Sequence, residues 1–219
     1  MKKYTLIALA LALIAGNIWY LYPKYQIFRV APKFEATPEI QSLASQTEAT
    51  VQASLISGEF SLRNFTSEPT PADLAVFESY YDKAKSEKFF RIKVWDSDYR
   101  VIWSNSSSLL NKRYPDNEEI SKVYKAGKRV IEGKLNSLGG SDQAESLSEN
   151  SFSNYIEIYV PIKDATDKIV GIVESYYVTE DAVIHYRNKL YQSAAISIFG
   201  SLILIGLAGF LMNNKKNSV

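Results

Sequence analysis

The chain has 219 residues, 25 basic and 24 acidic side chains, a net charge of +1 and no cysteine. Without Cys there is neither a disulfide nor thiol catalysis, and with His185 as the single histidine a His-based triad and a common zinc site both lack parts. No Gly-rich phosphate loop is present, so the sequence does not read as an enzyme and implies no cofactor.

In chain order, the first element is "YTLIALALALIAGNIWYLY", residues 4–22, an uncharged run preceded by Lys2 and Lys3. No small-x-small cleavage site follows it. It ends in Trp19, Tyr20 and Tyr22, which favour the interfacial aromatic belt, so it reads as a retained membrane anchor rather than a cleaved signal peptide. A second uncharged run, residues 193–212, is long enough to cross about 30 Å of hydrocarbon and is followed by Lys215 and Lys216. The basic pairs outside both spans predict cytoplasmic termini (1–3 and 213–219) and an exported segment over 23–192, in a bacterial inner membrane with the domain facing the periplasm or exterior. Those four lysines leave 21 of the 25 basic residues against all 24 acids between the spans, a net charge of −3. That argues against a nucleic-acid or anionic-membrane surface.

The exported segment begins with an irregular Pro-containing stretch. Ile40, Leu43, Thr47, Val51 and Leu55 then recur at helical spacing, with Thr37–Pro38 as a start and Gly58 as a stop, predicting a helix over 38–57. Thr70–Pro71 opens a second helix over 71–87. "FFRIKVWDSDYRVIWSN" reads as strand, Asp-Ser-Asp turn, strand. A short helix over 117–126 stops at Gly127, "RVIEGKLNSL" is strand-like, and the Ser-rich stretch 137–154 reads as a surface loop. "NYIEIYVPIKDATDKIVGIVESYYV" is a hairpin, and "TEDAVIHYRNKLYQ" a helix feeding the second span. The order predicts an α+β domain: an antiparallel sheet of about five strands with a long N-terminal helix on one face.

"FFRIKVWDSDYRVIWSN" followed by "LLNKRYPDNEEISKVYKAGK", together with "IYVPIKDATDKIVGIVESYY", resembles Cache-type sensor domains, the PAS-like extracytoplasmic modules of bacterial transmembrane receptors. The resemblance covers roughly 38–190 in layout and 89–178 in motif. It implies a PAS-like domain that binds a small molecule or senses a physical cue, and passes a displacement through the second span. Such receptors continue into a cytoplasmic output domain, whereas "NNKKNSV" follows the span here. The resemblance therefore implies either a separate signalling partner, a kinase or cyclase, as in two-component signalling, or a truncated or split receptor. The alternative reading is an accessory or scaffold subunit of a membrane protein complex.

Strand alternation supplies the candidate ligand site. Phe90, Ile92 and Val94 share one face of the first strand, and Ile156, Ile158 and Val160 the core face of the late hairpin. The other face then presents Arg91, Lys93, Trp95, Tyr155, Glu157 and Tyr159, and Trp103 joins it from the second strand. Aromatic walls with two cations suit an anionic or carboxylate ligand. The competing expectation is a solvated face carrying cross-strand charge pairs such as Arg91 or Lys93 with Glu157. Asp96 and Asp98 flank a turn and read as turn formers rather than cation ligands. In the spans, Ala8, Ala12 and Gly16, and Ser193, Ser197 and Ser201, form small-residue stripes that predict helix association, with a homodimer through the spans.

Overall fold

The computed structural model describes residues 2–27, 29–65, 68–135 and 154–214. All of the expected Ser-rich loop except Asn154, and the tail lysines Lys215 and Lys216, lie outside the described residues. The chain divides into two compact units, residues 1–30 with 181–219, and residues 31–180.

The first unit pairs two helices, each long and apolar enough to cross a membrane. Helix α1 runs Lys2–Ile27, past Pro23, and α6 runs Glu180–Asn214 without interruption. The Asn17 amide donates to Ser201 Oγ at 2.9 Å and accepts from the Ser197 hydroxyl, while Lys24 Nζ donates to Ser193 Oγ at 3.0 Å. The serine stripe of α6 is therefore turned toward α1 of the same chain. Ala8, Ala12 and Gly16 are exposed instead, and a Cβ at Gly16 would meet no atom within 4 Å.

The second unit is α+β. Short α2 covers Ala31–Glu35, α3 Pro38–Ile56, α4 Pro71–Ala84 and α5 Glu118–Ala126. The strands are β1 Phe89–Asp96, β2 Val101–Ser104, β3 Val130–Leu135, β4 Asn154–Lys163 and β5 Ile169–Val178. They form one antiparallel sheet in the order β2-β1-β5-β4-β3.

Local chemistry explains the boundaries. Thr70 and Asp73 form a reciprocal capping box on α4 with Pro71 in its first turn, and Asn117 Oδ1 accepts from the Ile120 N–H to start α5. Gly127 closes α5 at φ +61°, a left-handed conformation that glycine adopts without a Cβ clash. At the start of α3 the expected Thr37 cap is replaced: its hydroxyl donates backward to the Phe34 carbonyl at 2.7 Å. Helix α2 was not expected, because Pro32 reads as a breaker; it sits in the first turn, where no intrahelical N–H bond is lost. Glu35 at its end accepts from the Gly133 N–H at 2.7 Å, which occupies a donor on the edge strand β3.

One sheet face is apolar. Ile92, Val94, Ile156, Ile158, Val160 and Val173 are fully buried, each contributing about 1.5–3 kcal/mol. Thr47 of α3 hydrogen-bonds the Tyr177 hydroxyl at 3.1 Å over this face. Gly171 of β5 admits Phe65, whose ring lies 2.6 Å from where a Cβ would stand. The opposite face carries a second apolar cluster at one end, where Trp95, Val101, Tyr159 and Ile172 meet Leu109 and, from α5, Ile120 and Val123. Its other end is charged.

Candidate functional site

That face carries six of the seven residues expected for ligand binding, with Trp95 and Tyr159 where the apolar cluster meets the charged end. Ladder register puts Arg91 opposite Tyr176, Lys93 opposite Glu174, Tyr159 opposite Glu174, and Glu157 opposite Tyr176, so these side chains alternate onto one face. Trp95 and Tyr155 share it. The face is not solvated: Arg91 is 7% exposed, Lys93 6% and Glu157 3%.

Two expectations about faces are corrected. Trp103 pairs with Val94 and lies on the apolar side, its ring 6.1 Å from Phe77 and 6.3 Å from Tyr81 of α4. It does not join the other six. A register shift between Phe89 and Arg91 also breaks the alternation. Phe89 stacks on Tyr177 on the apolar side, whereas Phe90 turns to the charged side, against Tyr155 and Tyr176. One extra residue in a strand reverses the parity of everything before it.

Bonding within the face is dense. Lys93 Nζ lies 3.4 Å from Glu174 Oε1 and donates to the Tyr176 hydroxyl, and Trp95 Nε1–H donates to Glu174 Oε2 at 2.7 Å. The Tyr159 hydroxyl donates to Glu157 Oε2 at 2.7 Å. The Arg91 guanidinium stands over the Tyr176 ring at 5.6 Å, and the Lys93 ammonium over the same ring at 4.9 Å. The expected pairing of a β1 cation with Glu157 is thus replaced, for Lys93, by one with Glu174.

Besides Phe90, four further residues belong here that alternation on β1 and β4 alone did not reveal: Glu174 and Tyr176 of β5, and Glu132 and Lys134 of β3. A glutamate inside the otherwise apolar "IVGIVESYYV" was the available signal. Glu132 stands opposite Glu157 and Lys134 opposite Tyr155, and Lys134 is ion-paired with Glu132.

Burial and the neighbouring Glu174 charge push the Glu157 carboxyl up to about 8, against the pull of Lys93, Lys134 and the Tyr159 hydroxyl. Burial also raises Glu132, with Lys134 opposing. Burial, then the charges of Glu157 and Glu174, holds the Tyr159 and Tyr176 phenols well above their usual range. At neutral pH Glu157 is therefore largely uncharged. The face thus carries three basic side chains, Arg91, Lys93 and Lys134, among three acidic ones, Glu132, Glu157 and Glu174.

Asp96 behaves as a turn former. Its Oδ1 accepts from the Asp98 and Arg100 backbone, and its Oδ2 from Arg100 Nε at 3.0 Å. Among the described residues no group of three or more His, Asp or Glu side chains is placed to hold a metal ion. A separate open cleft of about 520 Å³ lies beside the β3 edge, between α2, α3 and the approach to β3, where Arg129 is paired with Glu48.

No family model matches the chain, and none of the curated proteins compared with it does. Among solved structures, the "Crystal structure of sensory box sensor histidine kinase from Vibrio cholerae" is similar at 10% identity and a TM-score of 0.31, over 47% of this chain and 89% of that one. At that TM-score the likeness carries no argument about fold or function.

Proposed function

We propose that the chain is a membrane-anchored sensor module whose PAS-like, Cache-type domain binds a small anionic ligand on the charged end of its sheet face. In this reading it signals through α6 to a separate partner such as a kinase. The domain faces the cell exterior or periplasm, and both termini lie in the cytoplasm. The carrying observation is the sheet face on which the Arg91 and Lys93 cations lie buried beside the rings of Tyr155, Tyr159 and Tyr176. Desolvated cations favour a negatively charged guest, because charge-assisted hydrogen bonds are roughly twice as strong as neutral ones.

Connectivity supports the output route. Strand β5, which carries Glu174 and Tyr176, ends at Val178, and α6 begins at Glu180. The Thr179 N–H between them is held by the Asn154 carbonyl at 3.0 Å. A ligand that shifts β5 acts on a 35-residue helix across a single linking residue.

The test is a thermal-shift screen of the full chain in detergent against small carboxylates, phosphates and amines. An anion at a hundred times its Kd should add about 2.7 kcal/mol of stability. Arg91→Ala should weaken that anion by about tenfold or more, and Arg91→Lys should retain part of the affinity. A screen in which amines stabilise and no anion does would overturn the reading.

A further inference from the structure

We propose that α1 and α6 together bind the phosphate group of an anionic phospholipid through Lys24 and Lys189. This rests on the reading that both helices span the membrane.

The two lysines mark one level of the helix pair. Residues 4–23 are uncharged and Lys24 is the first cation after them; residues 190–214 are uncharged and Lys189 is the last cation before them. Each is thus the charge nearest the apolar run, which is where lipid phosphates lie. Trp19, Tyr22 and Tyr191 are exposed around the same level, as an interfacial aromatic belt requires.

Both lysines line one cavity of about 300 Å³ between the helices, with Ile27, Tyr186, Ser193 and Ile196. That volume is at the lower end of ligand pockets. The α6 members recur at helical spacing, so they share a face. Lys24 Nζ donates to Ser193 Oγ and lies 3.8 Å from the centre of the Tyr20 ring; Lys189 Nζ lies 5.7 Å from the Tyr186 ring. Neither is paired with a carboxylate among the described residues. The nearest acid on α6 is Asp181, eight residues from Lys189, or roughly 12 Å of helix rise. An ammonium has three donors, and Ser193 and the Tyr20 side chain engage two on Lys24. Below them Ile196, 75% exposed, continues the face toward the hydrocarbon and offers a track for an acyl chain. Basic pockets between membrane helices suit anionic headgroups for this reason.

The experiment uses the full chain in a mild detergent, with bound lipid read by native mass spectrometry during titration with phosphatidylglycerol or phosphatidylcholine. Phosphatidylglycerol should be retained preferentially. The Lys24→Gln/Lys189→Gln pair should lose that preference by roughly thirtyfold, two lysines at about five- to sixfold each, and Lys24→Arg/Lys189→Arg should keep it. Equal retention of the two lipids overturns the proposal, a comparison that needs no variant to fold. So does a preference that survives the double Gln substitution, or displacement of the lipid by equimolar soluble glycerol phosphate, which would make the site one for a free phosphate. Extraction of the chain from membranes by alkaline carbonate would defeat the spanning reading itself. An integral chain without lipid preference defeats only this proposal.

Discussion

Glu132 and Glu157 stand directly opposite each other across the β3–β4 ladder, on a face where Glu157 is 3% exposed. Like charges in that position repel, and the arrangement persists because Lys134 is paired with Glu132 while burial keeps Glu157 protonated to about pH 8.

Stability should therefore fall with rising pH across this site. Glu157 has a folded pKa above its unfolded value of 4.5, so between about 4.5 and 8 the folded state binds the extra proton. Its contribution is fully present below pH 4.5 and is lost as pH rises through 8. Denaturant unfolding at pH 5 and pH 8.5 should show Glu157→Gln narrowing the gap between the two. A gap of unchanged size would mean Glu157 ionises normally in the fold.

Lys93→Ala removes the cation beside Glu174, which is completely buried. Leaving one member of a buried pair uncompensated costs about 3–5 kcal/mol. Lys93→Met combined with Glu174→Leu should recover part of that in a double-mutant cycle, since the apolar pair carries no buried charge while the Trp95 indole N–H loses its acceptor. Failure of the double variant to recover stability would assign the cost to packing rather than charge.

Gly171→Ala should destabilise the domain by about 1–3 kcal/mol, because its Cβ would stand 2.6 Å from the Phe65 ring and 2.8 Å from the Trp95 carbonyl oxygen. The backbone oxygen cannot rotate away. Phe65→Leu in the same chain should relieve part of the loss in a thermal melt, and an unaffected melting temperature for Gly171→Ala alone contradicts the close approach.

Asn17→Leu should weaken the α1–α6 pairing by about 1 kcal/mol or a little more, at an average of about 0.6 kcal/mol per interhelical hydrogen bond in membranes, because Ser197 and Ser201 both lose their partner on α1. Thermal unfolding in detergent reads this directly. Gly16→Ala, on the exposed side of α1, should change the same transition little.

Much of this protein was legible without a fold. Pro38, Thr70–Pro71, Asn117 and Gly127 bound the helices α3, α4 and α5 by interactions within a few residues, and the two uncharged runs mark α1 and α6 by length alone. Period-two alternation located all five strands and six of the seven candidate site residues, because a strand's facing is local as long as its parity is unbroken. Parity breaks at the Phe89–Arg91 shift, where Phe89 and Phe90 exchange faces, and on β2, where pairing of Trp103 with Val94 turns it toward α4. Both depend on hydrogen bonds to another strand. Partners were equally out of reach: Lys93 meets Glu174, 81 positions away, and the serine stripe meets Asn17 across 180. Charge and spacing along the chain say which side chains can pair. Only the strand order β2-β1-β5-β4-β3, by bringing β1 and β4 to either side of β5, decides which do, and with that which carboxyl is desolvated enough to stay neutral.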